Sequence, residues 1–321
     1  MEHLQNTKKI PVIVVVGPTA SGKTKLSVDL AKHFDGEIVS ADSMQIYRYM
    51  DIGTAKASRE EQQGIPHHMI DFLDPGVSFS VAEYVDMAGK LVWQIWQKGK
   101  IPVVVGGTGL YVDSLMNGTV FETLESDPKL RLSLQHQAQE KGNVFLLEKL
   151  AEVDPELAEK LHPNNLGRII RALEVYRITG ISMSEHQRRS RQHPSPYDGC
   201  YLGLNFSDRQ KLYERINLRV DQMFSNGLVE EVRQLKKAGF GHTAAQAIGY
   251  KEIFSYLNGE TSLDEAKELV KLQSRRYAKR QLTWFRRNPE IQWLFPDLES
   301  SYNALLTKAI ALVQSTLKAY M

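Results

Sequence analysis

The feature that most constrains this chain is a junction near its start. Seven residues, Ile10-Pro11-Val12-Ile13-Val14-Val15-Val16, are all apolar and mostly β-branched. A strand reads this way when both of its faces are buried, as in a parallel sheet covered by helices. Gly17-Pro18-Thr19-Ala20-Ser21-Gly22-Lys23-Thr24 follows at once. Behind it, Leu26, Leu30, Ala31 and Phe34 recur at helical spacing until Asp35-Gly36 stops the run. Strand, glycine-rich loop and helix in that order fit a phosphate-binding loop. The glycines let backbone N–H groups point inward around an anion, and the helix adds its positive end. Lys23 supplies a point charge. The Thr24 hydroxyl suits Mg²⁺, which keeps most of its own waters. Gly17, Thr19, Ala20, Ser21, Gly22, Lys23 and Thr24 are therefore read as the cradle, with Thr24 as the metal ligand. A diphosphate and a triphosphate satisfy such a loop equally well.

The pattern continues with a second strand over Glu37 to Asp42, a long amphipathic helix over Val81 to Gln97 and a third strand over Ile101 to Val105. This alternation implies an α/β fold, a parallel sheet with helices on both faces and right-handed crossovers. Ligands of such sheets sit beyond the carboxyl ends of the strands. Asp42 ends one strand and Thr108, in Gly106-Gly107-Thr108-Gly109, follows another, so both should face the crevice of Lys23. Asp42 reads as a Mg²⁺ ligand, a general base or a helix cap. The Gly-Thr-Gly turn leaves backbone and hydroxyl open to a ligand. Strand 103–105 carries no acid, unlike the metal-binding strand of a nucleotide hydrolase. His67-His68 would point to opposite faces if extended, so the pair makes a poor chelate.

After about residue 115 the pattern becomes helical. Asp127-Pro128, Asp154-Pro155 and Pro163-Asn164-Asn165 each precede a helix, and Thr179-Gly180 ends the last of these. His186 to His193 reads as a mobile basic loop. Tyr201 to Phe206 alternates like a strand rejoining the sheet, and the chain from Arg209 onward reads as helical. The expected organisation is a core domain of residues 1–114 and 199–321 with an all-helical insertion at 115–198.

Lysine and arginine number 40 against 38 aspartate and glutamate, a net charge of +2. Basic residues are nonetheless segregated. Lys271 to Arg287 holds seven of them, no acid, and Tyr277, Trp284 and Phe285. In a helix Arg276, Arg280 and Thr283 share a face. Arg168, Arg171, Arg177, Arg188, Arg189 and Arg191 form a second set, and Arg215 and Arg219 lie one turn apart. Arginine interleaved with aromatics suits phosphates and unpaired bases, so a nucleic-acid partner is expected. One cysteine excludes an internal disulfide framework. The longest apolar runs fall well short of the ~20 residues of a bilayer span, and the N-terminus lacks an apolar leader core. The expectation is a cytoplasmic protein with no membrane partner, and a monomer.

The blocks GPTASGKT at 17–24, ADSMQIYRYMDIGTAK at 41–56, PHHMID at 66–71 and VVVGGTGLYVDSL at 103–115 come in that order. RIIRALEV at 168–175, AIGYKE at 247–252 and KRQLTWFRR at 279–287 follow them. Together they resemble the bacterial tRNA dimethylallyltransferases over nearly the whole chain. The resemblance implies a Mg²⁺-dependent transfer from dimethylallyl diphosphate to the exocyclic amine of the adenine 3′ of the anticodon. By that resemblance Thr19 to Thr24 hold the diphosphate, Asp42 is the base and Thr108 helps place the reacting groups. Asp42, Ser43, Met44 and Gln45, with Leu166, Gly167, Arg168, Ile169 and Ile170, are implied to touch the anticodon stem-loop. Arg276, Arg280 and Arg286 join them as basic contacts. Gly167 and Tyr49 depart from the pattern, where arginine and glycine are expected. The competing readings are a small-molecule or nucleotide kinase, a prenyltransferase acting on free AMP and a non-catalytic RNA-binding protein.

Overall fold

A computed structural model of the chain describes residues 9–121, 127–190, 192, 194–239 and 241–320. Two compact units emerge: residues up to Asn117 with those from Ser195 onward, and the intervening Gly118–Pro194. Junctions at 114/115 and 198/199 would cut through the helix Gly109–Met116 and the strand Tyr197–Leu204.

The first unit is built on six strands: β1 (Ile10–Val16), β2 (Gly36–Ser40), β3 (His67–His68), β4 (Ile101–Gly106), β5 (Tyr197–Leu204) and β6 (Gln292–Leu294). Their order is β3-β2-β4-β1-β5-β6, and every pairing is parallel. β1 lies at the centre, where Val14 is in register with Val104 on one side and Tyr201 on the other. Its side chains alternate between two cores. Val12, Val14 and Val16 pack under the helices Val81–Gln97 and Gly109–Met116. Ile13 and Val15 pack under Lys23–His33 and Tyr302–Thr316. Each of these five is fully buried, worth about 1.5–3 kcal/mol apiece before conformational entropy is counted.

Two strands lie outside the sequence expectation. β3 pairs His67 and His68 with Ile38 and Val39 at the sheet edge. β6 interrupts the expected helical stretch after Arg209, pairing beside β5. Strands of two and three residues are too short to display a periodicity, and their pairing is non-local. A third core fixes the chain after β2: Ile46, Tyr47 and Met50 pack on Leu228, Val232, Tyr250 and Ile253. The helix Leu263–Phe285 starts at a capping box in which Ser262 and Glu265 satisfy each other's backbone N–H groups.

The second unit is helical. Pro128–Lys141, Asn143–Val153, Leu166–Thr179 and Met183–Arg189 surround Leu146, Leu150, Ile169 and Ile170. Asp127 and Asp154 cap their helices ahead of Pro128 and Pro155. Glu174 is fully buried and pairs with Arg131 at 2.9 Å and Arg171 at 2.6 Å. Residues 186–189 belong to a helix rather than to a mobile loop. Ser182 caps that helix, and Glu185 pairs with both Arg188 and Arg189. Arg191 and His193 lie outside the described residues.

Candidate active site

The cradle begins where β1 ends. Gly17 has φ 144°, and a Cβ there would stand 2.3 Å from the Leu204 carbonyl oxygen, so only glycine passes the end of β5. Gly22, at φ 99°, turns the chain into the helix Lys23–His33. Arg215 Nε donates to the Ala20 carbonyl at 2.9 Å and holds the loop from outside. Arg219 lines both cavities, and Arg215, though exposed, is tied to the cradle through Ala20. The Thr19 N–H donates to Gln281 Oε1 at 2.9 Å, so that amide is not open to an anion. Ser21 is buried, and its hydroxyl has no partner among the described residues. Such an orphaned donor fits a loop that awaits an anion. Lys23 Nζ folds back on the Pro18 carbonyl at 2.7 Å. Burial pushes its pKa down to about 7, the Arg219 charge adds to this, and Asp42 opposes it. A bound anion would restore its full charge.

Lys23, Thr24, Asp42, Arg219 and Tyr277 line one cavity of about 340 Å³. Ile70, Met223, Ile248 and Val270 give it an apolar wall. A second cavity of about 710 Å³ shares Lys23, Thr24, Arg219 and Met223 with the first.

Asp42 stands two residues beyond β2. Its Oδ1 accepts the N–H groups of Met44 at 2.9 Å and Gln45 at 3.3 Å. No hydrogen bond from a described residue reaches Oδ2. One oxygen therefore shapes the turn while the other remains for chemistry. Ser43 N–H donates to Thr108 Oγ1 at 3.0 Å, and the two hydroxyls lie 3.3 Å apart. Gln45 is committed internally, donating to the carbonyls of Thr54 and Ala55. The Tyr277 phenol lies beside Thr108 and Gln281; burial and the nearby Asp42 charge push it up to about 12. Glu231 accepts the N–H groups of Asp51, Ile52 and Gly53 and the Tyr250 hydroxyl, fixing a loop that borders both cavities.

Of the residues expected at RNA, Arg276, Arg280 and Arg286 are exposed, and the Arg280 guanidinium lies 5.6 Å over the Tyr277 ring. In the helical unit Gly167 and Arg168 are exposed. Ile169 and Ile170 are 0% and 5% exposed in that unit's core, and Leu166 packs against them. The Ile169 and Ile170 side chains are packing residues and are not available to RNA, while Leu166 is partly exposed. Arg171 is held by Glu174.

Among the described residues no group of three or more His, Cys, Asp or Glu side chains could hold a metal. His68 Nε2 contacts Glu37 at 2.8 Å, and His67 Nδ1 the Ile65 carbonyl, also at 2.8 Å. Thr24 and Asp42 bring a hydroxyl and a carboxylate to the cavity, hard oxygen donors of the kind Mg²⁺ takes alongside water and phosphate oxygens.

A phosphate-binding loop at the carboxyl edge of a parallel sheet, beside an apolar-walled cavity, defines a P-loop protein. Its β4 carries no acid, which separates it from ordinary nucleotide hydrolases. The chain belongs to the IPP transferase family, whose model matches residues 45–288. It is 53% identical over 299 residues to the tRNA dimethylallyltransferase of Caldanaerobacter subterraneus subsp. tengcongensis, covering 92% of this chain and 95% of that one. The enzyme of the same name from Acetivibrio thermocellus is 52% identical over 288 residues, 89% and 92% of the two chains. The crystal structure of the full-length tRNA isopentenylpyrophosphate transferase from Bacillus halodurans superposes with TM-score 0.71 at 42% identity, covering 97% and 99%. A eukaryotic dimethylallyltransferase captured acting on tRNA superposes with TM-score 0.82 at 31% identity, covering 97% and 80%.

Proposed function

We propose that the protein transfers a dimethylallyl group from dimethylallyl diphosphate to the exocyclic amine of the adenine 3′ of the anticodon in tRNA. The observation that carries this reading is the joint placement of Lys23, the Asp42 carboxylate and an apolar wall around one cavity. The activity named for the relatives supports it.

The diphosphate lies in the loop Thr19–Thr24, against Lys23 and Arg219. The allyl chain lies on the wall of Met223, Ile248 and Val270. The adenine amine is a weak nucleophile because its lone pair is delocalised into the ring. As its nitrogen bonds to the allylic carbon, Asp42 takes the amine proton, the carbon–oxygen bond breaks and diphosphate leaves with that electron pair. Preorganised donors at the leaving group stabilise the charge that develops there. Thr108 and Tyr277 orient the reacting groups. Mg²⁺, held through the Thr24 hydroxyl, would neutralise charge on the diphosphate.

The adenine has to leave its stack, which costs least from a loop. Arg276, Arg280 and Arg286, with Gly167 and Arg168, would contact the anticodon stem-loop, and Ser43 and Met44 would meet the extruded base. The protein would act as a monomer in the cytoplasm.

A stem-loop RNA with adenine 3′ of the anticodon, compared with one carrying there the unsubstituted purine ring, which lacks the exocyclic amine, tests the acceptor. Labelled prenyl transfer should occur only to the adenine form. Equal transfer to both, or to neither, contradicts the reading.

A further inference from the structure

Three side chains on one face of the helix Leu263–Phe285 close over the turn that carries Thr108. The Tyr277 phenol lies beside Thr108. Gln281 Nε2 donates to the Gly107 carbonyl at 3.0 Å. Trp284 Nε1 donates to Asp113 Oδ2 at 2.7 Å, in the helix that follows the turn. Positions 277, 281 and 284 are spaced i, i+4, i+7, a single helical stripe. The two glycines flanking Thr108 make room for it. A Cβ on Gly107 would stand 2.1 Å from Gln281 Nε2, and one on Gly109 2.2 Å from Trp284 Cδ1. Gly107 and Gly109 thus make room for this helix, while Gly106 and Gly107 also line the cavity.

Gln281 does more than dock. Its amide spans two loops that are distant in sequence. Oε1 accepts the Thr19 N–H of the phosphate loop at 2.9 Å, and Nε2 serves Gly107 at the other end. The side chain is only 5% exposed, so neither bond is shared with bulk water. A primary amide supplies one acceptor and one donor at opposite corners, and both are used here. We propose that Gln281 is a positioning residue that sets the spacing between the phosphate cradle and the Thr108 turn. This rests on the prenyl-transfer reading for its catalytic consequence, but not for its effect on anion binding. Gln281 is one of the cavity's lining residues, and the role proposed for it runs through its two hydrogen bonds. It acts by holding the diphosphate loop and the turn beside Asp42 in one geometry, where a misplacement of about 1 Å can cost a hundredfold in rate.

The test is a double-mutant cycle with two readouts. Gln281→Met keeps the side chain's length and removes both hydrogen bonds. Gly107→Ala leaves the Gln281 side chain chemically intact and displaces it from the opposite side. Each should weaken binding of inorganic diphosphate with Mg²⁺, read by calorimetry, by about tenfold. Each should lower kcat for prenyl transfer by about ten- to a hundredfold, with RNA affinity within twofold of the parent. Gln281→Ala closes the cycle: in Gly107→Ala with Gln281→Ala the truncated side chain makes room for the new methyl, so the losses of the Gln281→Ala and Gly107→Ala singles should not add. Additive losses, or a Gln281→Met protein within twofold of the parent in diphosphate binding, would overturn the proposal. Weakened diphosphate binding in a protein whose parent prenylates no tRNA would leave the positioning role standing and remove the transferase reading.

Discussion

The hydroxyl of Thr108 accepts the main-chain N–H of Ser43 at 3.0 Å across 65 residues of sequence. This bond joins the turn after β4 to the turn after β2, and so couples Thr108 to the loop that Asp42 shapes. The adjacent pair of hydroxyls, 3.3 Å apart, completes the contact. Thr108→Val keeps the shape and removes both bonds. It should lower prenyl-transfer kcat by about tenfold or more while Thr108→Ser retains most of the rate, since a buried hydrogen bond is worth about 1 kcal/mol and an orphaned partner costs more. Equal rates for the two variants, compared at saturating substrates, would reduce Thr108 to a packing residue.

Glu231 holds the loop at residues 51–53 through three backbone N–H groups at 2.7–3.0 Å and takes the Tyr250 hydroxyl at 2.6 Å. Glu231→Ala leaves these donors unsatisfied and should cost about 2–3 kcal/mol of stability. The loop borders both cavities, so the Michaelis constant for prenyl diphosphate should rise as well. Glu231→Gln keeps one acceptor oxygen and should fall between. Urea unfolding of the three proteins checks the order; a Glu231→Ala midpoint equal to the parent's contradicts the assignment.

The helical unit carries a pH dependence of its own. Burial alone would raise the Glu174 pKa, but hydrogen bonds from Arg131, Arg171 and the Asp127 N–H outweigh it and hold the carboxyl below its ordinary 4.5. A depressed carboxylate stabilises the fold fully above its unfolded pKa and ceases to do so as pH falls through the folded value. The helical unit should therefore lose stability as the medium is acidified below about 4.5. Glu174→Gln should flatten that decline while lowering stability at neutral pH. Thermal melts from neutral pH down through that range, followed by helix content, show whether the variant's curve is the flatter one.

Arg276 and Arg280 stand exposed on the helix Leu263–Phe285. If each meets an RNA phosphate, replacing both with alanine weakens binding of the anticodon stem-loop. It should also reduce the slope of log affinity against log salt by about 1.4–1.8. A slope that does not move returns both arginines to the role of a solvated helix face.

The legible parts of this molecule are local. β1, the cradle and the helix behind it are contiguous, so burial pattern and loop chemistry locate them without any partner. Asp42 and Thr108 are legible as strand-end residues because parallel sheets gather such ends on one edge. What escaped the sequence depends on distant partners. Gln281 sits in a run of arginines, and its partner Thr19 lies 262 residues away. Arg215 and Arg219 carry the same charge as an RNA-facing pair, and only the fold ties Arg215 to Ala20 and brings Arg219 to the cavity. The assignment of Ile169 and Ile170 to RNA had a local warning. With Leu166 and Leu173 they form an apolar stripe at helical spacing, the mark of a core face.

The account's central claim is that this cavity prenylates a tRNA adenine with Asp42 as the base. Its most direct test is to incubate the protein with dimethylallyl diphosphate, Mg²⁺ and unmodified tRNA, digest the RNA and weigh the nucleosides. Asp42→Asn is run beside it, since the amide oxygen can still accept the Met44 and Gln45 N–H groups. The account predicts an adenosine heavier by one dimethylallyl group from the parent, and about 10²–10⁴-fold slower formation in the variant at unchanged tRNA affinity. No prenylated adenosine from the parent, or equal rates from both proteins, would contradict it.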